Sequence, residues 1–272
     1  MNDTESTPIN PFMTDAFARV YEETGERITE QASSAAIHLV GGIGPGKKIL
    51  DIGAGTGALT IPAAMSGADV TAIDIAPGMI RRLSVKAAKF PNIDATEMDG
   101  TDLSFSDGYF DATFSVFGVI TFSDWRKGLC EQARVTRQGG KGCVVAWGDP
   151  AGGGPFQIVA AAIANILPDR PALPKPEAFV VLSDADRLTS EMEAAGFIDV
   201  SVTRIACTWE GPTGQVYLDM LRELHSYMRA YQSLSSEEKI LVDAEIINLT
   251  QPNTSDGKLE LKSPVLIAVG KK

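Results

Sequence analysis

The chain has 272 residues, of which 44% are hydrophobic, 22% charged and 7% aromatic, values that exclude wholesale disorder and a collagen-like structure. Lys and Arg number 24 against 35 Asp and Glu, a formal net charge of −11, which argues against nucleic acid or an anionic lipid surface as a partner because both are bound by basic surfaces. The three cysteines (Cys130, Cys143, Cys207) are odd in number and widely spaced, and His38 and His225 are the only histidines, so a disulfide framework and a multi-histidine metal centre are both excluded and a reducing cytoplasm is expected.

Residues 1–11 read as a polar, disordered lead-in with no basic or apolar signal-peptide regions. Phe12, Ala16, Phe17, Val20 and Tyr21 recur at helical spacing. Ile28, Ala32, Ala35, Ala36 and Leu39 repeat the pattern, with Gly25 between the two segments. A strand–helix rhythm then begins. Short apolar strands are expected at 48–52, 70–75, 93–98, 109–116 and 142–147, with helices after the first at 59–65 and after Pro77. Ser123 reads as the cap of a helix running to Arg137, with Gly139 and Gly140 ending it; Asp124 suits that helix's dipole. This alternation predicts an α/β fold with a doubly wound, parallel sheet.

The last third breaks the rhythm. Helices are expected at 156–167 and 184–195, the second stopped by Gly196, and a strand at 197–209. Val216, Met220, Leu224, Tyr227 and Met228 form a helical stripe, 234–248 another helix, and 263–270 a closing strand. The expected organisation is an N-terminal helical segment over 1–40, a nucleoside-binding core over 41–150, and completion of the sheet over 151–272 with helical insertions that serve as a substrate lid. Phe156, Phe179, Trp209, Tyr217 and Tyr227 would make that lid apolar. No apolar stretch approaches the ~20 residues of a membrane span.

The informative segment is ILDIGAGTGALT at 49–60, which spaces Asp51, Gly53, Gly55 and Gly57 between an apolar strand and a helix. Glycines there let the chain turn sharply and let a ligand approach the backbone. The looser dinucleotide pattern is also met, through Gly53, Gly55 and Ala58. Asp51 separates the two: a carboxylate at the strand's end suits a ligand ammonium and repels a pyrophosphate. No tyrosine has a lysine four positions on, as short-chain dehydrogenases require. Asp74, about 20 residues after the first glycine, is placed to accept hydrogen bonds from a ribose diol. Asp99, followed by Gly100, offers an acceptor for an adenine amino group.

On these residues the chain resembles the class I S-adenosylmethionine-dependent methyltransferases, in the branch that includes ubiquinone- and menaquinone-type enzymes. The resemblance spans roughly residues 45–150: the glycine segment, AIDIAPGM at 72–79, MDGTDLSF at 98–105, YFDATFSVFGV at 109–119 and ARVTRQGGKGCVVAW at 133–147 follow in the family's order. One departure is Gln138 where such enzymes carry proline. The resemblance implies a Rossmann-like sheet and S-adenosylmethionine as cofactor, with S-adenosylhomocysteine as product. It implies that Asp51, Gly53, Ala54, Gly55 and Gly57 hold the methionine end. Asp74 and Ile75 would hold the ribose, Met79, Asp99 and Gly100 the adenine, with Phe117 and the N-terminal Tyr21 beside the cofactor.

The reaction implied is in-line transfer of a methyl group to a small, apolar or aromatic metabolite, of the kind found in secondary metabolism. Beside it stand two alternatives, a nicotinamide-dependent oxidoreductase and a non-catalytic adenosyl-ligand binder on the same fold. For the acceptor side, Trp147 and Asp149 follow the fifth strand at the sheet edge where such folds bind ligands. His225, in the expected lid helix, is the candidate general base because an imidazole titrates near neutrality. His38 and the three cysteines read as structural, the cysteines as core. No metal ligand set is identified, and the oligomeric state is not legible.

Overall fold

The computed structural model describes residues 13–251 and 256–272; Phe12 and the lead-in before it lie outside the described residues. A seven-stranded sheet carries the fold. Its strands are β1 (Lys48–Ile52), β2 (Asp69–Asp74), β3 (Ile93–Glu97), β4 (Phe110–Val116), β5 (Thr136–Trp147), β6 (Ile198–Gly211) and β7 (Leu259–Lys271), in the order β3-β2-β1-β4-β5-β7-β6. The strands β1 to β5 pair in parallel, whereas β7 runs antiparallel to both β5 and β6. The sheet is therefore mixed: the parallel, doubly wound expectation holds for the five strands from which it was read, and the last two strands add antiparallel pairing. The physical reason lies in the last strand, which is inserted between two strands that run the same way and reverses the direction between them.

The order changes sense beside β1, so the carboxyl ends of β1 and β4 open a crevice at a topological switch point, where open α/β sheets bind ligands. Eleven helices flank the sheet among the described residues: α1 (Asp15–Thr24), α2 (Glu26–Val40), α3 (Thr60–Met65), α4 (Pro77–Ala87), α5 (Trp125–Val135), α6 (Pro155–Ile166), α7 (Glu177–Val181), α8 (Ala185–Ala194), α9 (Gly214–Ser226), α10 (Arg229–Gln232) and α11 (Ser236–Leu249). Both faces of the central strands are covered, and the side chains divide by the two-residue period. Cys143, Val145, Val265 and Ile267 point into the core beneath α2, α6 and α9. Val144, Ala146, Leu266 and Ala268 point the other way, into the core of α5, α7 and α8.

Local chemistry sets the helix starts. Thr14 accepts a hydrogen bond from Phe17 N, Asp184 from the N–H groups of Asp186 and Arg187, and Ser235 and Glu238 form a reciprocal capping box. Between α1 and α2, Gly25 keeps a helical conformation, so the two form a nearly continuous arm. Ser123 is not the cap of α5: Asp124 is, with its side chain accepting from Lys127 N. That helix stops at Val135, not Arg137, because the pull of β4 is stronger; Thr136 pairs with Phe110, and Gly139 and Gly140 lie within the irregular start of β5.

Of the stripe expected on α9, Leu224 is in the core and Met220, Tyr227 and Met228 pack against it, but its first member does not. Val216 is 63% exposed, while Tyr217, Leu218, Leu221, Leu224 and His225 are buried. Cys143 and Cys207 are in the core, but Cys130 is exposed. The short α7 carries no hydrophobic period long enough to read. No helix among the described residues is long and apolar enough to cross a membrane.

Candidate active site

The glycine turn leaves β1 at Ile52 and is tied at once to the neighbouring strand. The N–H groups of Gly53 and Ala54 both donate to Ile73 O at 2.9 Å. Gly53, Gly55 and Gly57 have φ of +74°, +55° and +102°, values that side-chain-bearing residues rarely adopt. Space is equally restrictive at Gly53, where a Cβ would lie 2.9 Å from Gly118 Cα on the turn after β4. Gly118 is itself seated by Ser115, whose hydroxyl donates to Ile52 O and accepts from Val119 N. Two turns from adjacent strands are thus locked together at the crevice.

Two carboxylates face this turn. Asp51 is 1% exposed and accepts a hydrogen bond from the Thr60 hydroxyl at 2.6 Å. Burial, with a smaller contribution from Asp74, pushes its carboxyl up to about 7. Asp74 ends β2 and accepts from Gly55 N at 2.9 Å and Ala76 N at 2.8 Å. Burial raises its carboxyl too, against the pull of those two N–H groups. Among the described residues neither Asp51 nor Asp74 forms an ion pair. Buried negative charge without a cationic partner is costly, and a ligand that brings an ammonium to Asp51 and hydroxyls to Asp74 compensates it. The cradle therefore fits an adenosyl ligand with an amino-acid end.

The remaining sequence candidates separate. Ala54 and Met79 are buried against the turn's neighbours, and Ile75 is 49% exposed just beyond β2. Asp99 is exposed and accepts from both the N–H and the hydroxyl of Thr101, closing its own turn. Gly100 is buried because Phe122 and Ile52 leave no room for a Cβ. Tyr21 lies over the glycine turn: its ring is 3.6 Å from where a Gly55 Cβ would be, and its hydroxyl shares a 2.7 Å hydrogen bond with Thr29.

Sequence reasoning missed what holds that arm down. Glu26, 5% exposed at the start of α2, accepts from the Thr56 hydroxyl at 2.7 Å and from Lys86 Nζ at 2.9 Å. Glu22 pairs with Arg82 and Lys86 on α4. No local pattern announces these pairs, which join residues 30 to 64 positions apart.

Just past β4, Phe117 takes φ +56°, strained for an aromatic residue. It stacks on Trp147 with ring centroids 4.2 Å apart and planes 24° from parallel. Both rings are half-buried, at the carboxyl ends of β4 and β5. Asp149 turns instead to its own loop, accepting from Ala151 N at 2.7 Å. His225 is fully buried on α9, and burial pushes its imidazole down to about 4, so it is neutral at pH 7. Its ring neighbours are Tyr217 at 5.9 Å and Tyr231 at 6.1 Å. Of the aromatic lid residues, Trp209 and Tyr217 are wholly buried, and Phe156 and Tyr227 pack on the same core. Phe179 packs in the core on the opposite face of the sheet.

A methyltransferase-domain family model matches residues 49–140, the stretch that holds the turn and both carboxylates. Over 208 residues the chain is 33% identical to the demethylmenaquinone methyltransferase of Renibacterium salmoninarum, covering 70% of this chain and 84% of that relative. The chain belongs to the class I S-adenosylmethionine-dependent methyltransferases. Within them it falls in the branch of the quinone-type enzymes, and its cofactor is S-adenosylmethionine. An uncharacterised protein of Mycobacterium tuberculosis is 30% identical over 230 residues, 80% of each chain. Among solved structures, the fold is shared with phosphoethanolamine N-methyltransferase 2 of Haemonchus contortus in complex with phosphomonomethylethanolamine and S-adenosylhomocysteine. That match has a TM-score of 0.59 at 17% identity and covers 96% of this chain and 58% of that one. The YcgJ protein of Bacillus subtilis matches with a TM-score of 0.53 at 18% identity, over 89% of this chain and 98% of that one.

Proposed function

We propose that this methyltransferase acts on a small, flat, aromatic or quinone-like metabolite in the cytoplasm. The observation that carries this reading is the stacked Phe117–Trp147 pair at the crevice beside the glycine turn. An aromatic surface held at a strained backbone position offers a ring-shaped acceptor a stacking platform, and aromatic pairs add ~0.5–1.5 kcal/mol beyond the area they bury. Relatives named demethylmenaquinone methyltransferases support a ring-bearing acceptor, and three free cysteines support a reducing compartment.

S-adenosylmethionine supplies a methyl group on a positively charged sulfur, already activated for in-line displacement. The protein's task is then to position and to exclude water. Asp51 holds the ammonium, the Gly53–Gly57 turn lets the methionine end lie against the backbone, and Asp74 takes the ribose. Ile75 lies beside the ribose, and Met79, Asp99 and Gly100 border the adenine. Tyr21 on the α1–α2 arm closes the crevice from above, and Phe117, Trp147 and the neighbouring Asp149 loop form the acceptor's side.

Isothermal calorimetry with S-adenosylmethionine, S-adenosylhomocysteine and NADH tests the cofactor half. Binding of the two adenosyl ligands without NADH is the expected result. Transfer of labelled methyl to a panel of phenols, quinols, aliphatic amines and thiols tests the acceptor half. Turnover confined to aliphatic amines or thiols would overturn the ring-shaped acceptor.

A further inference from the structure

The groups assigned to the methionine end of the cofactor lie under cover. Asp51 and Thr56 are each 1% exposed, and Ala54 is buried beside them. The cover is α1. Its Tyr21 ring passes 3.6 Å from the place of a Gly55 Cβ and ends in the 2.7 Å hydrogen bond to Thr29 on α2. An adenosyl ligand therefore reaches the turn only when α1 lifts. The two helices of the arm are held by different means. Ile28, Ala32 and Ala36 on the inner face of α2 are buried, Gln31 bonds both the N–H and the carbonyl of Thr208 on β6, and Arg27 donates to Glu210 O. That helix is anchored to the sheet.

The first helix is held from both sides by charge. On α4, Arg81 grips Asp15 with Nε at 2.8 Å and a terminal nitrogen at 2.6 Å, and Glu22 pairs with Arg82 and Lys86. On α9, Glu223 accepts from Arg19 at 2.6 Å. Lys86 is itself kept in place by Glu26 of α2. The side chains in these pairs are part exposed, from 19% for Glu22 to 67% for Asp15, so water competes for each. Beneath them Phe17, Ala18 and Val20 are buried. The start of α1 sits so close to α4 that a Cβ on Gly78 would lie 2.7 Å from Thr14 O. At its far end the indole N–H of Trp209 holds Thr24 O at 2.9 Å, one residue before Gly25.

We propose that α1 is the gate through which the cofactor is exchanged, pivoting at Gly25 and latched by the Asp15–Arg81, Glu22–Arg82, Glu22–Lys86 and Arg19–Glu223 pairs. Glycine suits the pivot because it lacks the Cβ that restricts backbone rotation. The latch joins protein to protein and touches no ligand, so it closes in the same way over an empty or a filled turn. Loosening it raises the open fraction of both forms. Entry and release then quicken by the same factor, and the affinity stays where it was. A helix that belonged to the binding surface would behave differently, since weakening its hold would speed release alone. The inference rests on the cofactor cradle proposed above and adds to it the way in and out.

The test measures S-adenosylhomocysteine exchange on the full chain. Stopped-flow tryptophan fluorescence gives its entry, and a chase of tritiated ligand by unlabelled ligand gives its release. In the double variant Asp15→Asn/Glu22→Gln both rates should rise together by about 3- to 30-fold, the scale of a few part-exposed ion pairs, with calorimetric affinity unchanged. Gly78→Ala keeps every charge but sets a Cβ against Thr14 O, so it should prop the gate and quicken both rates as well. On the unaltered chain, added sodium chloride should speed entry and release alike, because salt screens exposed pairs. The double variant should respond less. Rates in the double variant equal to those of the unaltered protein overturn the gate. So does faster release with unchanged entry, because α1 is then part of the binding surface. Full affinity in Asp74→Ala counts against the cradle and leaves the gate standing, whereas a chain that binds no S-adenosylhomocysteine overturns both.

Discussion

The glycine turn and the α9 cap are joined through the α1 arm but are built on opposite principles. At the turn the polar groups are satisfied by the backbone or by close neighbours: Asp74 holds Gly55 and Ala76, Ser115 holds Ile52 and Val119, and Thr60 holds Asp51. Its geometry depends on positive φ and on backbone approaching backbone, so it tolerates little change. Under the cap, apolar packing is complete, yet Tyr217 and His225 are left without partners. The turn is held by hydrogen bonds and close backbone approach, whereas the cap is held by apolar packing.

Breaking the rigid half should give the largest effect. Gly53→Val combines a φ penalty with a clash against Gly118 Cα, and should cost about 2–6 kcal/mol of folding stability. Thermal denaturation should show a large fall in Tm together with loss of S-adenosylmethionine binding. Gly55→Ala meets only the Tyr21 ring at ordinary distance, so it should retain far more stability.

Asp51→Asn separates binding from stability. Loss of the charged partner for the ammonium should cost about 1.5–3 kcal/mol of affinity, roughly 10- to 150-fold. Stability should move the other way. The folded carboxyl lies at about 7, above its unfolded value. The unbound protein therefore gains stability from that proton below the unfolded pKa and loses it as pH rises toward 7. Tm of the unbound protein measured from pH 4 to 7 should fall more steeply than that of Asp51→Asn. Over the same range, S-adenosylmethionine affinity should rise with pH in the unaltered protein and rise less in the variant.

Asp74→Ala removes a ribose acceptor and frees two turn N–H groups, so it should weaken S-adenosylmethionine by about 1–3 kcal/mol. Calorimetric affinity equal to that of the unaltered protein would count against the ribose role. Trp147→Leu removes the ring that stacks on Phe117. It should weaken aromatic probes by about 0.5–1.5 kcal/mol and spare S-adenosylhomocysteine, as read by the same calorimetry. Val216→Ser, on the exposed side of α9, should change stability by less than about 0.5 kcal/mol, which denaturant titration checks. A larger loss would mean that the cap packs in a different phase.

The sequence by itself determined the cofactor half of the molecule. Strand lengths, the glycine spacing and the placing of Asp51 and Asp74 at strand ends are local features, each fixed within a few residues by sterics and hydrogen bonding. Tertiary structure alone decided the rest. The reversal of β7, the stop of α5 at Val135 and the choice of Tyr217 over Val216 for the interior follow from pairing and burial against distant segments. The Glu26–Thr56–Lys86 clamp and the Phe117–Trp147 stack likewise join residues with no shared local signal. Long-range contacts select among faces and ends that local propensity leaves nearly equal in energy.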